Sequence, residues 1–381
     1  HSAYAAGNIT EAIINGKASA DLNLRYEHVE QDNALQDATA LTLRTRLGYT
    51  TGSYNNLSAT VEMEDSRIVG GQDEYSVGPS GFNPGVYSVI ADPESTELDQ
   101  AFVKYEGESL TTKLGRQVIT YDGHRFVGHV GWRQDRQTFD AFKVDYSASK
   151  ELSLSYSYLW KRNRIFAEAA DIDSKDSLIN VSYKSVFGTV TFYGYFLEVD
   201  NNTDNALDTF GISLKSSAGT DNKFNYTVEY ATQTNESGAS EYDTEYLFIE
   251  GSMGLAAVTA SFGYEVLGSD NGASGFSTPL ATLHKFNGFA DMFLSTPAEG
   301  LVDVYASATT RLGGGKFVLV YHDYSADEKS SVVDDMGNEI DLVYAMKFSK
   351  NYSAGIKYAS YSAGDIYVDT DKLWIWIGLK F

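Results

Sequence analysis

Residues 371–381 read DKLWIWIGLKF, and Leu373, Ile375, Ile377, Leu379 and Phe381 take every second position. A period of two sends successive side chains to opposite faces of a β-strand, so one face of this segment is wholly apolar. Taken alone, it reads equally as a half-buried strand of a soluble sandwich. The same pattern recurs in about eighteen segments with no convincing helical domain between them. Their spans are 17–29, 40–50, 55–65, 97–106, 109–119, 136–147, 151–162, 177–185, 187–199 and 208–216 in the first part. In the second they are 222–234, 243–251, 255–267, 301–312, 316–325, 340–349, 352–362 and 371–381. The 27 Tyr and 20 Phe, against 5 Pro, agree with an all-β chain.

No stretch approaches the roughly 18 apolar residues of a membrane-crossing helix; even Leu255–Phe262 is broken by Thr259 and Ser261. A β-barrel is left open, because its strands alternate and leave only a weak hydropathy signal; the mean hydropathy of -0.28 does not weigh against one. With no cysteine in the chain, disulfides, thiolate zinc sites and thiol nucleophiles are excluded. The net charge of -23 argues against nucleic acid, whose phosphates call for a basic surface. The opening HSAYAAGNITEA carries no charged and apolar leader, and Ala3-Tyr4-Ala5 resembles a small-residue cleavage site, the expected mark of an exported mature chain.

The connections decide between sandwich and barrel. They alternate between tight, near Thr50–Tyr54, Glu106–Ser109, Ala148–Lys150, Ser185–Val186, Ser252–Gly254, Gly313–Gly315 and Lys350–Asn351, and long and polar, as around 66–96, 163–176, 268–299 and 325–339. A sandwich requires no such rule, whereas an outer-membrane barrel has short periplasmic turns and long extracellular loops. Tyr49, Tyr54, Tyr105, Tyr146, Tyr183, Phe187, Phe317, Phe348 and Tyr352 flank the tight turns, as an interfacial aromatic belt would. The expected fold is a single transmembrane up-and-down antiparallel barrel over 1–381, of eighteen strands (sixteen as the alternative), with 1–16 a periplasmic N-terminal segment. An even strand count puts both termini in the periplasm, and the last strand must seal against the first so that no backbone group meets lipid unpaired.

If the apolar parity faces lipid, the other faces water. Leu22, Leu24 and Tyr26 then point out and Asp21, Asn23, Arg25 and Glu27 in; Leu41, Leu43 and Leu47 point out and Arg44 and Arg46 in. Glu62, Glu64, Gln100, Lys104, Lys113, Lys143 and Lys161 follow inward on the next strands, and Glu229, Glu265 and Asp303 in the second half, with Lys347, Lys357, Lys372 and Lys380 near closure. Two readings stay open. The basic groups form one wall that guides anions, or Arg25, Arg44 and Arg46 pair with Glu27, Glu62 and Glu64 and stiffen it. A positive arc facing a negative arc would set a transverse field in a channel.

Four stretches, RYEHVEQDNALQDATALTLRTRLGYTTG, ELDQAFVKYEG, LGRQVITYDGHRFVGHVGWRQDRQTFDAF and STPLATLHKFNGFADMFLSTPAEGLVDVYA, resemble the alginate-export-type outer-membrane channel family of Gram-negative bacteria, with the likeness running from about residue 16 to the end. The resemblance implies a monomeric eighteen-stranded porin-like barrel in the outer membrane. It also implies channel-lining roles for Arg25, Arg44, Arg46, Arg116, Gln117, Arg125, Arg133, Arg136 and Asp140. Alginate exporters carry a more basic channel and an extended periplasmic loop; here each connection on that side reads as short, the longest about Ser217–Asn222.

Two loops, 66–96 and 268–299, are too long to be plain connectors, and at least one is expected to narrow the lumen, the alternative being a lid over the rim. His124 and His129 lack a carboxylate at metal-ligand spacing, and DDMGNEID at 334–341 lacks the spacing of a twelve-residue calcium loop, so no metal site or cofactor is expected beyond divalent ions bridging acidic loops and lipopolysaccharide. No nucleophile motif accompanies the six His, so no catalytic residue is assigned. The expected function is passive diffusion of small hydrophilic solutes, anionic or saccharide-like. The alternatives are export of an acidic polysaccharide, or a closed barrel serving as a binding platform.

Overall fold

The computed structural model describes residues 6–78, 82–219 and 224–381. Ala3-Tyr4-Ala5 and part of the 217–222 connection lie outside the described residues. A short helix, α1 (Ile9–Ile14), precedes eighteen strands. The first nine are β1 (Lys17–Gln31), β2 (Ala38–Thr50), β3 (Leu57–Glu74), β4 (Ser95–Glu106), β5 (Leu110–Gln117), β6 (Thr138–Ser147), β7 (Leu152–Asn163), β8 (Ile172–Ser185) and β9 (Gly188–Leu197). The others are β10 (Asn205–Ala218), β11 (Phe224–Ser237), β12 (Ser240–Leu255), β13 (Val258–Leu267), β14 (Leu301–Leu312), β15 (Gly315–Ser325), β16 (Asp335–Lys347), β17 (Tyr352–Ser362) and β18 (Thr370–Lys380).

Every strand pairs antiparallel with its neighbours in chain order, and β1 also pairs with β18, so the sheet closes into an eighteen-stranded barrel. The seam runs from Asp21 opposite Lys380 to Gln31 opposite Thr370. Beyond it Ala20 and Phe381 exchange two backbone hydrogen bonds, of 2.8 and 3.0 Å. Closure leaves no row of unpaired backbone groups, the condition for strands to stand in hydrocarbon.

The alternation in the sequence becomes an inside-out distribution of polarity. Leu47, Val61, Leu114, Phe192, Ile249 and Ile377 are exposed on the outer surface, while Arg25, Glu27, Arg46, Glu64, Glu229 and Glu265 are buried inside. That is the reverse of a water-soluble core and matches lipid outside and water or protein within. Among the described residues no helix is long and apolar enough to cross a membrane.

Two strands outrun their expected ends. β3 continues to Glu74 because its partner β2 supplies Thr39 and Ala40 for Glu74 and Asp73, with a bulge in which Gly70 and Gly71 take φ of 65° and 70°. A Gly-Gly pair among polar residues reads as loop in sequence, yet here it is a bulge that lets pairing resume. β16 likewise starts at Asp335, so much of DDMGNEID is strand and places Glu339 and Asp341 inside the barrel.

Three long-side connections fold against the interior. Residues 75–78 and 82–94 supply a small cluster in which Tyr75, Val77 and Ile90 pack on Val29, Ala38 and Ala40. Residues 118–137 and 268–300 enter the lumen, where Phe126, Val127, Phe276, Leu280 and Phe293 pack with wall residues such as Tyr193, Tyr246, Tyr324 and Trp374. The 118–137 segment was not expected to do so.

Candidate functional site: the constricted lumen

The two inward segments are one unit. Val127 and Leu280 form a parallel bridge, Gly128 N–H donates to Leu280 O at 2.8 Å, and the buried Gln137 amide donates to Gly128 O and Leu280 O at 2.9 and 3.1 Å. Arg125 holds that unit to the wall: its guanidinium donates to Glu265 on β13 at 2.7 Å, and to Thr278 and Asn287 at 3.4 and 3.3 Å. Arg133 does the same on the opposite side, reaching both carboxylate oxygens of Glu27 at 3.0 Å and Asp291 at 3.1 Å. The segments therefore span the lumen from β1 to β13.

The first arc of the wall is not a free positive surface. Arg25 pairs with Asp92 and lies 3.7 Å from Glu27; Arg46 pairs with Glu64; Arg136 pairs with Asp99 and, at 2.5 Å, Glu62. Arg44 takes Asp21 at 2.7 Å rather than any of the three expected glutamates. These groups are largely buried, and a charge in that setting persists only with its partner. Of the two readings from sequence, the paired network describes the geometry. Gln117 is fully buried, its amide donating to Gly115 O and Ala141 O at 3.1 and 3.0 Å, so it braces the sheet.

Lys104, Lys113 and Lys143 stand in register on adjacent strands and share the inward parity. Lys104 pairs with Glu106 at 2.5 Å, Lys143 pairs with Asp145, and the Lys113 ammonium lies 4.8 Å from the Phe102 ring centre. Arg116, Asp140 and Lys161 are placed differently from the expectation. They lie opposite one another across β5, β6 and β7 on the parity of the exposed Leu114 and Phe142, and a bulge in β7 between Leu159 and Lys161 carries Lys161 to that side. Arg116 and Asp140 form a two-pronged pair at 2.7 and 3.1 Å, and Lys161 meets Asp171 at 3.0 Å. Alternation fails for Lys161 because the β7 bulge inverts the faces beyond it, whereas Arg116 and Asp140 keep the outward parity that follows from Lys113 and Lys143, and it was the resemblance that implied a lining role for them.

Sequence reasoning missed Asp92, Asp99, Asp291, Trp132, Gln134 and His284, all of which join the constriction. Asp92 and Asp291 come from loops whose paths no periodicity specifies. Asp291 is held well below the usual carboxylate range: burial opposes this, but His284, Lys372 and Arg133 favour its charge more. Asp135 goes the other way, pushed up to about 10 by burial and by Glu64. His124 and His129 meet edge to face with ring centres 4.9 Å apart. Among the described residues no cluster of three or more His, Asp or Glu is arranged to hold a metal ion.

Beside the inward unit, along the β10–β16 arc, lies a cavity of about 390 Å³. Six carboxylates line it (Asp122, Glu229, Glu250, Glu265, Asp303 and Asp341), against the permanent cations Arg125, Lys215 and Lys285, and Tyr246, Phe248, Phe286, Phe289 and Tyr305 supply aromatic surface. His322 accepts or donates at 2.9 and 3.0 Å to the two oxygens of Asp303, and Asn287 donates to Glu265 at 2.7 Å and to Asp303 at 3.1 Å. Glu229, Glu265 and Asp303 all face this cavity.

The comparisons agree with this architecture. The barrel superposes on the crystal structure of Acinetobacter baumannii OccAB1 with a TM-score of 0.74 at 13% identity, covering 100% of this chain and 99% of that one. For Pseudomonas aeruginosa OccK9 (OpdG) the values are 0.72 and 15%, over 97% and 100% of the two chains. For P. aeruginosa OpdK with vanillate they are 0.72 and 13%, over 96% and 98%. These neighbours are outer-membrane porins, and at such identities the likeness is one of fold. No curated protein sequence matches the chain significantly. The family model for alginate export matches residues 14–268, and the chain therefore belongs to the alginate-export family, as an eighteen-stranded barrel of the Gram-negative outer membrane.

Proposed function

We propose that this barrel is a passive channel through which small hydrophilic solutes cross the outer membrane. The observation that carries the reading is the lumen itself: a closed polar barrel, narrowed but retaining a cavity of about 390 Å³, with the narrowing unit pinned by Arg125 to β13 and by Arg133 to β1. Selective diffusion needs such a place, where binding is strong enough to admit a solute and weak enough to release it. The neighbour OpdK, crystallised with vanillate, shows that this fold accommodates a small organic solute.

Support for both termini facing the periplasm is that α1 and Phe381 sit at the short-turn end: Gly52 N–H donates to Ala12 O at 2.8 Å, and Phe381 pairs with Ala20. The sheet closes within one chain, which supports a monomer surrounded by lipid, with its acidic long loops beside lipopolysaccharide and divalent ions bridging them. The family favours a second reading, passage of an acidic polysaccharide.

Purified protein in planar bilayers is expected to give discrete conductance steps, and silence would favour a closed platform. Alginate oligomers that interrupt the current at micromolar concentration would favour the polysaccharide reading.

A further inference from the structure

Two glycines in the wall reveal a repeated device. Gly211 on β10 lies opposite Tyr193 on β9, and Gly263 on β13 lies opposite Tyr305 on β14. A Cβ at either glycine would stand 2.1 Å from its tyrosine ring, so each missing side chain is the space in which a tyrosine lies flat across a strand. Each ring then delivers its hydroxyl to a glutamate one strand further on. Tyr193 donates to Glu229 at 2.9 Å and Tyr305 to Glu250 at 2.7 Å.

The two glutamates are neighbours. On β11 and β12, Glu229 lies opposite Phe248 and Thr227 opposite Glu250, which sets the carboxylates diagonally on one face, with Phe248 between Glu229 and the next strand's Glu265. Their treatment differs from that of the other lumen acids. Glu265 is neutralised by Arg125 and Asp303 is tied to His322 and Asn287, whereas Glu229 and Glu250 each accept a neutral hydroxyl and join no salt bridge among the described residues, with Lys215, opposite Thr227, the cation on the same stretch of wall. A hydroxyl fixes the direction of a carboxylate without cancelling its charge. Of the two lysines lining this cavity, Lys215 and Lys285, the second is turned to Gly123 O at 2.7 Å.

We infer that the solute selected here carries a positive charge on an apolar body, and that Glu229 and Glu250 hold that charge while Phe248 and its aromatic neighbours take the rest. This rests on the channel reading above. A desolvated ammonium or guanidinium gains from both carboxylates and ring faces, and a carboxylate solute would meet like charge at the same place. The arginines that would have served an anion are engaged with acids.

The test uses three probes with one body and three charges: benzylammonium, benzyl alcohol and benzoate, added to single channels in potassium chloride. Benzylammonium is expected to interrupt the current, with the other two at least about tenfold less effective. Glu229→Gln and Glu250→Gln, which keep the side-chain shape and remove the charge, should each weaken the interruption, measured against the variant's own open current, by about tenfold. Equal or stronger interruption by benzoate in a conducting channel overturns the inference and leaves the channel reading standing. Should no current flow at all, calorimetry on the detergent-solubilised barrel separates the two. Benzylammonium binding lost in Glu229→Gln keeps the site and removes the channel, and absent binding removes both.

Discussion

Lys357 on β17 donates from Nζ to Nε2 of His284 at 2.9 Å, so a barrel-wall lysine is bonded to a histidine of the inward 268–300 segment. The other ring nitrogen of His284 lies 2.7 Å from Asp291. Trp132, from the partner segment 118–137, stacks on the imidazole with planes 8° apart, and the Lys357 ammonium sits 3.6 Å from a Trp132 ring centre and 3.9 Å from that of Phe289. An imidazole that accepts from an ammonium must be neutral there, with its proton on Nδ1 directed to Asp291. Burial holds His284 down at about 3, and Lys357 and Arg133 add to this against the pull of Asp291.

This contact makes the constriction acid-sensitive. Between the ordinary histidine value of about 6.5 and about 3, a released segment binds a proton that the docked segment refuses, so docking strengthens as pH rises. The contribution is complete above about pH 6.5 and fades as pH falls toward 3, an effect on the order of a few kcal/mol. Single-channel conductance should rise, or become noisier, between pH 7 and pH 4, and His284→Gln should flatten that change. A wild-type conductance that is level across this range refutes the assignment.

Arg133 is the staple whose loss should open the lumen most. Replacing it by Ala leaves Glu27 and Asp291 buried beside each other's field without their shared donor, and breaking such a pair costs about 3–5 kcal/mol. The cost falls on the docking of the segment and not on the barrel, whose ladder Arg133 does not join. Arg133→Ala should therefore enlarge the conductance step and expose 118–137 to protease while heat-modifiable migration of the folded barrel persists. Arg133→Lys should recover little, since one ammonium cannot reproduce the two-sided fork.

What the sequence discloses and what it hides divide along one physical line. Strand count and seam were legible because a lipid-facing wall imposes a period of two on its strands, as Leu22, Leu24 and Tyr26 at one edge of the seam and Leu373 through Phe381 at the other show. Arg25, Arg44, Arg46, Glu229 and Asp303 were placed correctly by the same rule. Lys161 was not, because the β7 bulge reverses parity ahead of it and leaves no mark in composition, while Arg116 and Asp140 lie on the outward parity that the rule gives them and against the lining role that the resemblance implied. The partners Asp92 and Asp291 were invisible for another reason: they arrive on loops, where the three-dimensional path and not the spacing decides which charge meets which. The segment 118–137 carries Gly, His and Arg in a pattern that belongs to no regular element, and its entry into the lumen shows only in its contacts with Glu27 and Leu280.

Gly263 should tolerate no side chain. In Gly263→Ala the new methyl would displace the Tyr305 ring from 2.1 Å, free Glu250 from its hydroxyl and cost about 1–3 kcal/mol, as overpacking does. The midpoint of urea unfolding in lipid vesicles should fall accordingly. Adding Tyr305→Ala to Gly263→Ala should restore part of that loss, because the clash disappears with the ring; a double variant no more stable than the single one would show that the glycine serves some other need.

Adjacent residues on β5 offer the sharpest check on which surface meets lipid. Leu114 is 57% exposed on the outer face, and Lys113 lies one step away on the inner face beside Lys104 and Lys143. An arginine on the lipid face near mid-membrane costs about 2–4 kcal/mol, so Leu114→Arg should lower unfolding stability in vesicles by that amount. Lys113→Gln, which exchanges one hydrated polar group for another, should stay within about 0.5 kcal/mol of the parent. The contrast depends on the closed barrel standing in hydrocarbon: were both faces wet, Leu114→Arg would be as mild as Lys113→Gln, and equal midpoints for the two variants would place this wall in water.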